Sequence, residues 1–93
     1  MKSLLKKGSV HVESLGREVE LLELSYKAQM EIVKAYNEGE QELSGLIMIK
    51  HGVPEFGKET LEAIGAALPV QVVMELGNAV AEFSGMNEDL EKK

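Results

Sequence analysis

The stretch EFGKETLEAIGAALPVQVVMELGNAVAEFSGM, residues 55–86, decides the fold. Between Pro69 and Ser84 the polar residues Gln71, Glu75, Asn78 and Glu82 recur at spacings of four, three and four, which stacks them in one stripe along a helix. The rest of that circumference is apolar or small. Val72, Val73, Leu76, Ala79, Val80 and Phe83 form a broad face, read as the core side of this last helix, while Val70 and Met74 lie off its edge. A helix wetted on one stripe only must bury most of its surface, so it is expected to be the central core helix, with the stripe in water. Pro69 suits a first helical turn, and Gly85 stands where a left-handed terminating glycine belongs. Just upstream, Leu61, Ile64 and Leu68 carry the apolar side of a shorter helix.

Further towards the N-terminus, Val53-Pro54 forces an extended turn. Leu46 to Ile49 form an unbroken apolar run that fits either a strand or a buried helix; with acids Glu40 and Glu42 ahead and Gly52 behind, helix is the preferred reading. Ser25 is placed to cap a preceding amphipathic helix that ends near Gly39. Its apolar side is read as Tyr26, Met30 and Val33, flanked by Ile32 and Tyr36, and its solvated side as Lys27, Glu31, Lys34 and Glu38. Before it, Val10 and Val12 alternate with His11 and Glu13, a turn follows at Ser14-Leu15-Gly16-Arg17, and Val19 and Leu21 alternate with Glu18 and Glu20. This predicts a β-hairpin, whose apolar face must rest on a helix or pair with another chain, since a lone hairpin is marginal in water. The expected fold is α+β: mainly helical, about four helices behind a small N-terminal hairpin. One domain spans residues 9–86, with a flexible leader at 1–8 and a charged flexible tail at 87–93.

Composition narrows the function. The 93 residues include no tryptophan, two tyrosines and two phenylalanines, so packing falls to aliphatic side chains and to Met30, Met48 and Met74. A net charge of −6, with no basic helix face, argues against nucleic acid as a partner. The longest apolar tract, Ala63 to Met74, is broken by Pro69 and Gln71 and falls short of a membrane span. With no cysteine and no apolar run of signal-peptide length behind Lys2, Lys6 and Lys7, a soluble cytoplasmic protein is expected.

Little in the sequence suggests catalysis. His11 and His51 fall in different elements, without a second histidine or a cysteine at ligand spacing, so no metal or cofactor is expected. The serines at 9, 14, 25, 44 and 84 lack a histidine at an activating spacing, and no glycines build a phosphate-cradling loop. The expectation is a non-enzymatic binding module with surplus apolar helix surface, which favours a homo-oligomer or a protein partner. Self-association is expected through the last helix and the hairpin face. The partner-contacting residues are read as Val70, Met74 and Met86, towards or beyond the rim of the last helix's buried face.

Taken in order, VHVE (10–13), EVELLELS (18–25), GVPEF (52–56), LEAIG (61–65) and LGNAVAEFSGMNE (76–88) resemble the tail assembly chaperones of long-tailed bacteriophages. The likeness spans most of residues 9–90. Its most telling part is the step Ser84-Gly85-Met86 ahead of an acidic tail. The resemblance implies a non-enzymatic protein of the host cytoplasm, absent from the mature virion, that binds the tape measure protein and tail tube subunits. The alternative reading is a small oligomeric structural tail component or a regulatory adaptor.

Overall fold

The computed structural model describes residues 4–86; the start of the expected leader, at 1–3, and the tail expected at 87–93 lie outside the described residues. Its order is β1 (Lys7–Val12), β2 (Arg17–Leu22), α1 (Tyr26–Asn37), α2 (Gln41–Gly52), a short 3-10 turn (Pro54–Phe56), α3 (Leu61–Ala67) and α4 (Val70–Phe83). An N-terminal hairpin followed by four helices is the α+β architecture expected, and Leu46 to Ile49 are helical, inside α2.

β1 and β2 pair antiparallel, with Val10 opposite Val19 and Gly8 opposite Leu21. Strand β1 begins at Lys7, earlier than the leader boundary at residue 8 allowed. Beyond the strand, the Glu23 N–H donates to the Lys6 carbonyl and the Lys6 N–H to Glu23 Oε1, so pairing continues past the last alternating valine. The hairpin's apolar side does not await another chain. Val12, Val19 and Leu21 are buried against the protein's own core, which removes the hairpin face from the surplus apolar surface.

The central helix is α2, where α4 was expected. It packs against α1, α3, α4, the 3-10 turn and β2. Its sequence carries the reason: Leu43, Leu46, Ile47, Met48 and Ile49 leave it apolar on most sides, and such a helix must be surrounded. Close approach of α4 is permitted by Gly52, where an added Cβ would lie against Val80, 2.8 Å from its Cγ2. The end of α2 is also a fastening point. Lys50 Nζ donates to the carbonyls of Gly57, at 3.1 Å, and Glu59, at 2.5 Å, holding the chain as it leaves the 3-10 turn. Arg17 forms a two-pronged pair with Glu55, at 3.0 and 2.6 Å, and so ties β2 to that turn.

The buried side of α1 is not the one expected. Ala28, Ile32 and Ala35 face the core, while Tyr26, Met30 and Tyr36 are exposed. Two alanines and Ile32 make up the core side, with Tyr26 and Met30 on the opposite side and Tyr36 on a flank. Small residues let α1 lie close to α2, and tyrosine and methionine tolerate water better than aliphatics do. Ser25 caps the helix as expected, its Oγ accepting from the Ala28 N–H.

Candidate protein-binding surface

The corner between α3 and α4 sets the surface. Thr60 caps α3 by accepting from the Ala63 N–H, and α3 buries Ile64. Pro69 is the extended cap residue of α4, which leaves Val70 as its first helical residue. Val70 and Met74, one turn apart, stand on the side of α4 away from the core, 74% and 61% exposed. On the opposite side Val72, Leu76 and Val80 are fully buried, and Val73 and Phe83 pack partly buried against the same cluster. Phe83 covers β1, its ring within 3.0 Å of where a Cβ on Gly8 would stand.

Met86 does not belong to this surface: it is 4% exposed and joins the core. The cause is the helix stop. Gly85 adopts φ +74, its N–H donates to the Glu82 carbonyl, and the chain doubles back, so the next apolar residue covers the last turn. Ser84 closes the same corner by accepting from the Leu24 N–H at 2.9 Å.

The polar stripe of α4 also departs from expectation at one residue. Gln71, Asn78 and Glu82 are exposed, but Glu75 reaches the hairpin turn. Its carboxylate accepts from Ser14 Oγ at 2.7 Å, the Ser14 N–H at 3.1 Å and the Glu13 N–H at 2.8 Å. The Ser14 hydroxyl and amide bonds hold the Glu75 carboxyl below its ordinary value, against a smaller opposing effect of desolvation. Spacing on one helix carries no signal for such a contact, because the donors lie 61 and 62 residues away.

The hydroxyls of Ser14, Ser25, Ser44 and Ser84 are engaged in structural hydrogen bonds. His51 Nε2 lies 3.5 Å from Glu31 Oε2. Among the described residues no three histidine, aspartate or glutamate side chains cluster as a metal site would require. A hollow of about 490 Å³ at the α1–α2 junction is lined by Gly39, Glu40, Gln41, Glu42 and Leu43, with no histidine or serine beside its carboxylates. Among the same residues no helix is long and apolar enough to cross a membrane. The geometry defines a small helical domain whose closed core leaves apolar side chains outside it, on α4 and α1. Compared with family models, curated proteins and solved structures, the chain finds no match in any of the three.

Proposed function

We propose that the protein works by binding, as a tail assembly chaperone that receives an apolar helical segment of the tape measure protein on the outer face of α4 and presents it to tail tube subunits. One observation carries the reading: Val70 and Met74 stay in solvent on a helix whose opposite face is already sealed by Val72, Leu76 and Val80. The fold has no need of them inside. An unbranched methionine beside a valine suits a client whose helical repeats vary, because it can repack against different side chains. The likeness of residues 9–90 to the phage chaperones supplies the context, and with it the host cytoplasm as the place of action.

Co-expression with the tape measure protein tests the reading. The wild-type chain should co-purify with it and keep it soluble. Met74→Glu should retain helical circular dichroism and melting temperature yet lose the complex, since docking would bury an unpaired carboxylate at a cost of roughly several kcal/mol. Leu76→Glu, at a fully buried site, should unfold the chain instead. Retained binding by Met74→Glu would place the client elsewhere. Mass spectrometry of purified virions separates this function from that of a structural tail component, which would remain in the particle.

A further inference from the structure

Tyr26 and Met30, one turn apart, line the outer side of α1, and Val33, partly buried against the core cluster, and Asn37 continue the same line at helical spacing. Tyr26 and Met30 are 81% and 53% exposed. Along one flank run Lys27, Glu31, Lys34 and Glu38, so the charge alternates basic, acidic, basic, acidic. Among the described residues Lys27, Lys34 and Glu38 have no ion-pair partner, and Glu31 offers one oxygen to His51. The other flank carries Gln29 and Tyr36.

We propose that this face of α1 is a two-fold interface between two copies of the chain, with their α1 helices antiparallel. An alternating stripe is complementary to its own reverse. With the two-fold axis between Ile32 and Val33, Lys27 faces Glu38 of the second copy and Glu31 faces Lys34. The same axis sets Tyr36 beside Gln29 on the other flank and lays Met30 over the gap between Val33 and Asn37. A parallel, in-register two-fold pair would instead set this charged flank beside Gln29 and Tyr36 of the second copy, leaving the charges without opposite partners. The order of charges thus selects a second copy as the occupant, where an unrelated apolar segment would have no use for it. A helix of 12 residues is only about 18 Å long, so the contact belongs to the small, weak class, with dissociation constants on the order of micromolar or above. This inference does not depend on the function proposed above. The Val70–Met74 face lies on a different helix, so a pair would carry two of them.

Size exclusion with light scattering, run from ~10 to ~500 µM, should show the mass rising from 10.2 kDa towards twice that value. Met30→Glu should move the midpoint at least about tenfold higher in concentration without changing the circular dichroism. Charge reversal tests the stripe. Lys27→Glu with Lys34→Glu, and separately Glu31→Lys with Glu38→Lys, should each leave monomers, and mixing the two variants should restore a dimer. Direction is read by cross-linking, which is clean because the chain has no cysteine. Val33→Cys should form a disulfide dimer under mild oxidation and Tyr26→Cys should not, since antiparallel packing holds the two copies of residue 26 about 20 Å apart along the axis. A monomer at every concentration would overturn the proposal. So would a dimer unaffected by Met30→Glu, mixed charge variants that stay monomeric, or Tyr26→Cys cross-linking as readily as Val33→Cys.

Discussion

Glu75 stands on the polar stripe of α4 yet fastens the hairpin turn, because its carboxylate is the acceptor for the Glu13 and Ser14 amides and the Ser14 hydroxyl. A carboxylate held by donors in the folded chain titrates below its ordinary value of 4.5, which the unfolded chain retains. Below that value the unfolded chain binds the extra proton first, so the stabilisation from Glu75 is present above about 4.5 and is lost as pH falls through the lower folded value. Glu75→Gln should therefore melt at a lower temperature than wild type at neutral pH. The gap should narrow steadily on acidification below about 4.5, as followed by thermal melts across a pH series. A gap that does not change with pH would show that the amide replaces the carboxylate only sterically.

At the scale of elements, the crossing of α2 and α4 depends on how closely two helices can lie. A Cβ at Gly52 would stand 2.8 Å from Val80 Cγ2, inside contact distance. Gly52→Ala should cost about 1–3 kcal/mol through overpacking. Gly77, in the middle of α4, gives the opposite case: an added Cβ there meets no atom within 4 Å. Gly77→Ala should stabilise the chain by up to about 1 kcal/mol, because alanine loses less backbone freedom on entering a helix. Urea denaturation of the two variants against wild type measures both. Equal effects of the same sign would mean that helix propensity, and not helix spacing, governs the pair.

Across the whole molecule, the first and last elements hold each other. Ser84 accepts from Leu24, the Phe83 ring covers Gly8, Glu75 holds the hairpin turn, and Met86 returns to the core beyond Gly85. Contacts between residues some sixty positions apart form only when the chain is folded throughout, which favours a single cooperative transition. Met86→Ala should cost about 2–5 kcal/mol, a large part of the stability of so small a domain. Denaturation followed by far-ultraviolet circular dichroism and by the fluorescence of Tyr26 and Tyr36 should give coincident curves for both proteins. Separate transitions would show that α1 unfolds apart from the rest of the chain.

What the sequence determined by itself is what short-range physics controls. Alternation of Val10 with Val12 and of Val19 with Leu21 marked the strands, and Ser25 marked the start of α1. Gly16, Gly39 and Gly85 marked the turns and ends at positive φ, and one-sided polarity picked out Val72, Leu76 and Val80 as the buried face of α4. The same pattern placed Val70 and Met74 outside the core. Only the tertiary structure decided which of the two apolar faces of α1 is buried, because that choice depends on how close α2 can come and not on the periodicity of α1. It also decided that α2 is central, that Glu75 serves the hairpin, and that Met86 is core. In each case the partner lies far along the chain, and spacing within one helix carries no information about it.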